Sequence, residues 1–135
     1  MTKKLEIREV NQFSPLTLAF LGDAVYEQLV RERLVIEANM SAGKLHDMKI
    51  KLVCSSYQSN AIEMLKEHLT EYEYAIYKRG RNASGNTVPK NANACEYRRA
   101  TGLECLFGYL HLLGEKQRID ELFDLIWNFN GVKES

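Results

Sequence analysis

The chain has 135 residues, 45% of them hydrophobic, a size that suits one compact domain and leaves no room for a second of ordinary length. Its 18 Lys+Arg balance 18 Asp+Glu, which excludes a global basic field, so a nucleic-acid partner would have to be held by local clusters of charge. No stretch approaches the ~18 uninterrupted apolar residues that a membrane span needs.

Apolar residues recur at helical spacing almost throughout, and strand-like alternation is scarce, which predicts an all-α domain over residues 1–135. Ser14-Pro15 is an N-cap followed by proline at the first helical position. It opens a helix to about Glu37, with Leu18, Leu21, Val25 and Leu29 expected along the buried stripe. Ser41 caps a second helical region, Ala42 to Leu69, with a break expected near Cys54-Ser55-Ser56. Thr70-x-x-Glu73 is a capping box for a short helix through Tyr74, Ile76 and Tyr77 that is expected to end at Gly80. Residues 80–93 carry Gly, Asn, Ser and Pro without helical period and read as a loop. Asn93-x-x-Glu96 caps a helix to Leu113, stopped by Gly114, and a last amphipathic helix spans Glu115 to Phe129.

Three cysteines, Cys54, Cys95 and Cys105, are odd in number and lack CxxC spacing, which speaks against a disulfide framework and against a structural zinc site. The opening residues, Met1 to Glu6, have no apolar core behind them of the kind a signal peptide carries. Together these features predict reduced cysteines in a cytoplasmic protein.

Two residues stand out chemically. Asp23, in Leu18-Ala19-Phe20-Leu21-Gly22-Asp23-Ala24-Val25-Tyr26, and Glu104, in Gly102-Leu103-Glu104-Cys105-Leu106-Phe107-Gly108, are single carboxylates inside apolar helical stretches. A desolvated carboxylate needs a cation, an arginine or a rim position. Small neighbours (Gly22, Ala24, Gly102 and Gly108) would let two helices approach, and two facing carboxylates can hold Mg²⁺, which prefers oxygen ligands. The alternatives are pairing with Arg98 or Arg99, or an edge position. Glu27 shares the face of Asp23 and reads as a solvated helix acid before a further ligand. His46, His68 and His111 read as surface or edge residues, and Tyr72, Tyr74 and Tyr77 as helix packing before base stacking.

A second feature runs from Lys78 to Arg99, where Lys78, Arg79, Arg81, Lys90, Arg98 and Arg99 meet one acid, Glu96. Arg and Lys neutralise phosphates, and Asn82 and its polar neighbours can bond phosphate or 2′-hydroxyl oxygens. The bland alternative is a solvated connector.

The stretch Leu18 to Val25 resembles the signature of the ribonuclease III catalytic domain. Tyr97-Arg98-Arg99-Ala100-Thr101-Gly102-Leu103-Glu104 resembles that domain's later metal-binding helix. With the Lys78–Asn91 loop between them, the chain is similar over residues 14 to 127 to the Mini-ribonuclease III branch, which lacks a double-stranded-RNA-binding domain. The resemblance implies an all-helical homodimer with an RNA duplex in the valley between subunits. Asp23 and Glu104 then match the catalytic, Mg²⁺-binding acids, and Phe20 matches an aromatic that packs into the partner subunit. Lys78, Arg79, Arg81, Asn82, Lys90 and Arg98 are the expected RNA contacts. Branch members trim the ends of precursor 23S ribosomal RNA. Leu16, Ala19, Ala42 and Thr101 stand where full-length ribonuclease III carries acids, which implies one well-held cation. Two rival readings are a non-catalytic RNA-binding protein on the same fold and a helical interaction module.

Overall fold

Most helix ends follow from local signals that the fold then uses. In the computed structural model, which describes residues 4–83, 88–90 and 92–129, the described elements are seven α-helices and no strand. They are α1 (Ile7–Val10), α2 (Pro15–Ala38), α3 (Ala42–Val53), α4 (Ser55–Leu65), α5 (Glu71–Ala83), α6 (Ala94–Leu112) and α7 (Lys116–Asn128), with one 3₁₀ turn at Lys66–His68. The Ser14 hydroxyl accepts from Thr17 N at 3.1 Å, and Asn93 Oδ1 accepts from Glu96 N at 3.0 Å, so both expected caps form. Thr70 and Glu73 close the capping box reciprocally, at 3.0 and 2.9 Å. The break expected near Cys54 is one extended residue between α3 and α4, and Gly114 ends α6 with φ +74°. No described helix is long and apolar enough to cross a membrane.

Helix α6 is the axis of the fold. Ala100–Leu103 and Cys105–Leu110 are buried in succession, so every side of this helix is covered and only Glu104 interrupts the run. Helices α2, α4 and α5 pack around it. The buried row on α2 is Leu18, Gly22, Tyr26, Val30 and Leu34, whereas the expected Leu21, Val25 and Leu29 are half-buried on its flank. The four-residue spacing of the true row is the ridge that one helix offers to the grooves of another. Gly22 belongs to that row as a gap, which a pattern built on apolar side chains misses.

The gap lets backbones touch. A Cβ on Gly22 would lie 1.7 Å from Glu104 O, and one on Gly108 would lie 2.0 Å from Leu18 O. Both obstacles are backbone atoms that no rotamer change can move. Helix α5 makes a similar approach at Gly80, where a Cβ would lie 2.5 Å from Cys105 Cβ. Helix α5 therefore does not stop at Gly80, as expected, but continues to Ala83. The packing against α6 outweighs the ~1 kcal/mol by which glycine disfavours a helix relative to alanine.

Gly108→Ala should therefore destabilise the protein although alanine is the better helix former. Overpacking of this kind costs on the order of 3 kcal/mol, which for a domain of this size lowers Tm by roughly 10 °C. Thermal unfolding checks this, and an unchanged Tm would contradict the close crossing.

Candidate active site

The crossing of α2 and α6 determines where Asp23 sits. It follows Gly22 directly, so it emerges at the rim of the contact and is exposed, the edge position that the sequence left open for it. Glu104 lies on the facing side of α6 and is mostly buried. The two carboxylates line one open cleft of about 270 Å³ with Leu16, Ala19, Phe20, Tyr97 and Thr101, and the charge of Asp23 acts on Glu104. Neither forms a salt bridge with a described Lys or Arg; Arg99 instead pairs with Glu63 at 3.5 Å and Arg31 with Glu27 at 2.7 Å. The arginine-partner alternative fails for both acids among the described residues.

The positions at which the resemblance implies neutral residues in place of acids can be located in the fold. Leu16, Ala19 and Thr101 line this cleft, while Ala42 lies elsewhere, beside Arg31 and His46. The hydroxyl of Thr101 donates to Tyr97 O at 2.9 Å and is satisfied within its own helix. Glu27, one turn beyond Asp23, is held by Arg31 and by Lys49 at 3.6 Å. No described cluster brings together three His, Cys, Asp or Glu side chains as a metal cage. Two carboxylates remain, which suits a hard cation that keeps most of its waters and takes further oxygens from a substrate phosphate.

Electrostatics favours the same occupant. Burial, and then the charge of Asp23, push the Glu104 carboxyl up to about 8, while a hydrogen bond from Gln58 works in the opposite direction. A bound cation relieves that repulsion, and two acids facing one another with no counter-charge are otherwise unfavourable. Gln58 was not singled out in the sequence. It lies on α4, and only the fold brings it to Glu104, with Nε2 donating to Glu104 Oε2 at 3.3 Å.

A second cleft, of about 500 Å³, is lined by Lys66, Arg81, Asn82, Cys95, Arg98 and Arg99. Helix α6 walls both clefts, with Tyr97 and Thr101 toward the carboxylates and Cys95, Arg98 and Arg99 toward the basic side. Of the expected RNA contacts, Arg81, Asn82 and Arg98 meet here. Lys78, Arg79, Arg81 and Asn82 belong to α5 and not to a loop. Lys78 is exposed, its Nζ 5.3 Å from the Tyr74 ring centre, and Arg79 is felt by Cys105 and Tyr109. Neither lines the basic cleft. Lys90 is exposed in the connection to α6, and residues 84–87 and 91 of the expected loop lie outside the described residues. Lys66, from the 3₁₀ turn, is an addition that sequence distance concealed. Tyr77 is buried and Tyr72 Oη meets Tyr109 Oη at 2.6 Å, as the packing reading expected, and the three histidines are exposed.

The raised Glu104 carboxyl has a consequence for stability. It titrates near 4.5 when unfolded and near 8 in the metal-free fold, so the folded state holds the proton more tightly between those values. Its contribution to stability is complete below about pH 4.5 and is lost as pH rises toward 8. Thermal unfolding in a chelator should show that loss, and Glu104→Gln should remove this component and be the more stable protein at pH 8. Parallel pH profiles for parent and variant would contradict the burial and pairing of Glu104.

Comparison with known proteins places the chain in a family and a fold. The family model "Ribonuclease III domain" matches residues 16–115. The Mini-ribonuclease 3 of Clostridium tetani is 40% identical over 122 residues, spanning 90% of this chain and 81% of that protein. The Mini-ribonuclease 3 of Enterococcus faecalis is 40% identical over 131 residues, spanning 96% and 98%. A crystal structure of a protein from Fusobacterium nucleatum superimposes with a TM-score of 0.78 at 29% identity, covering 87% of this chain and 94% of that one. The all-α fold is thus shared, and the enzymatic reading displaces the non-catalytic alternative. The chain belongs to the ribonuclease III domain family, among the Mini-ribonucleases 3, and is an endoribonuclease.

Proposed function

We propose that the chain is a Mg²⁺-dependent endoribonuclease that cleaves double-stranded RNA in the cytoplasm, at the ends of a 23S ribosomal RNA precursor, as a homodimer. One observation carries the catalytic part: Asp23 and Glu104 face each other in an open cleft with no salt-bridge partner among the described residues. The duplex and the precursor rest on the family resemblance, and the basic cleft beside the carboxylates supports a polyanionic substrate.

Asp23 and Glu104 would hold the cation, Asp23 from the rim and Glu104 from the deeper wall. When bound, Mg²⁺ polarises the phosphoryl group and supplies a water of lowered pKa at the scissile phosphodiester. With Leu16, Ala19 and Thr101 offering no carboxylate, one cation is held well, and a second would depend on the RNA phosphate. Arg81, Arg98, Arg99 and Lys66 neutralise backbone phosphates, Asn82 offers a neutral donor, and Lys78, Arg79 and Lys90 extend the positive charge outside the cleft. Phe20 is 84% exposed at the edge of the catalytic cleft. A ring so placed gains most from burial in a second copy, which would bring the two catalytic clefts toward the dimer axis.

Steady-state kinetics on duplex RNA separate these roles. Asp23→Asn and Glu104→Gln should each lower kcat by about a hundredfold or more, the scale of losing a group that stabilises transition-state charge, and still bind RNA. The pair Arg81→Ala and Arg98→Ala should mainly raise KM and flatten the log–log salt dependence of binding by about 2. Sedimentation of Phe20→Ala should show monomer where the parent sediments as a dimer. Near-parental cleavage by either carboxylate variant would overturn the catalytic reading, and an unchanged salt slope would reduce the basic cleft to a solvated surface.

A further inference from the structure

Beneath the catalytic cleft, helix α3 ends at Val53 and the chain turns through the extended Cys54 into α4. The carbonyls at such an end need donors. Tyr26 Oη donates to Leu52 O at 2.8 Å, and Gln58 Nε2 donates to Val53 O at 3.0 Å. The same Gln58 nitrogen lies 3.3 Å from Glu104 Oε2. The side chain is 1% exposed, and its Oε1 is buried without a hydrogen-bond partner among the described residues.

From this arrangement we infer that Gln58 is the positioning residue of Glu104, holding its carboxylate in the orientation that receives the cation. The inference rests on the reading of Asp23 and Glu104 as cation ligands. The amide orientation is fixed by chemistry, since turning it over would set Oε1 against the Val53 carbonyl and the Glu104 carboxylate. The residue type is constrained as well. A hydroxyl has one hydrogen and cannot serve two acceptors. A lysine or arginine would bring its own charge to Glu104 and compete with a cation. An amide supplies two N–H groups, one tied to the backbone of α3 and one to the carboxylate, and orients that carboxylate without neutralising it. The unpartnered Oε1 is a cost that an apolar residue of similar size would avoid. A side chain kept only to fill this place in the core would not carry it. Groups that orient a ligand in this way commonly change metal affinity by about ten- to a hundredfold when removed.

The test uses the full chain free of RNA, with Mn²⁺ as the probe, titrated calorimetrically at a temperature where circular dichroism shows full helicity. Gln58→Met and Gln58→Leu are both measured, so that one poorly folding variant does not leave the matter open. Tyr57→Phe serves as control: one residue away, it removes a buried donor whose bond is to a backbone carbonyl, Ile126 O at 3.0 Å. The expected result is Mn²⁺ binding weakened about tenfold or more in the Gln58 variants, with parental affinity in Tyr57→Phe. Duplex-RNA binding without divalent cation should stay within about twofold of the parent in all three, because Gln58 does not line the basic cleft. Parental Mn²⁺ affinity in the folded Gln58 variants would overturn the inference and leave Gln58 as a cap for α3. Asp23→Asn and Glu104→Gln, titrated alongside, separate the two levels. If they too bind Mn²⁺ like the parent, it is the reading of the cleft that fails.

Discussion

Everything at this site depends on two helices touching backbone to backbone. Where α2 crosses α6, Gly22 rests on Glu104 O and Gly108 rests on Leu18 O, and neither position has space for one more carbon. The crossing therefore brings backbone against backbone, and an added Cβ at either glycine would collide with it. Asp23 is the residue after one of these glycines, and Glu104 lies one turn before the other. Both carboxylates are thus delivered to the same cleft by the contact that holds the core together. Stability and site geometry are not separable here, since any side chain that pushed the helices apart would also pull the two acids apart.

The neutral net charge of the chain conceals a division of labour along α6. One flank of its N-terminal half faces the carboxylate cleft and the other faces the basic cleft with Lys66, Arg81 and Asn82. Negative charge is gathered on one flank and positive charge on the other, which is the separation that the proposed cation and polyanion would require. Glu63 tempers the basic side by pairing with Lys66 at 2.8 Å and with Arg99. Asp23 and Glu104 have no such partner among the described residues. Without a cation, burial and the facing Asp23 keep the proton on Glu104 up to about pH 8, and a cation at the proposed site would let both acids ionise.

How much of this was legible in the sequence depends on the range of the interaction involved. The caps at Ser14, Asn93 and Thr70–Glu73 are local and were readable, as was the break at Cys54. The two acids could be picked out because each interrupts an apolar run. The phase of the α2 stripe was missed because its centre is a glycine, which carries no hydrophobic signal. Gly80 reads as a helix end in the sequence because its packing role depends on Cys105 and Gly102, far along the chain. Gln58 and Lys66 gave no sign at all. An ordinary glutamine on one helix and a lysine in a turn acquire roles only through neighbours that folding supplies.

The most direct measurement is the anomalous scattering of Mn²⁺ in crystals of the protein without RNA. An anomalous peak between the Asp23 and Glu104 carboxylates, absent from crystals of Asp23→Asn, is what this account predicts. Ordered carboxylates with no peak between them at saturating Mn²⁺, or a peak bound to other residues in both proteins, would contradict it.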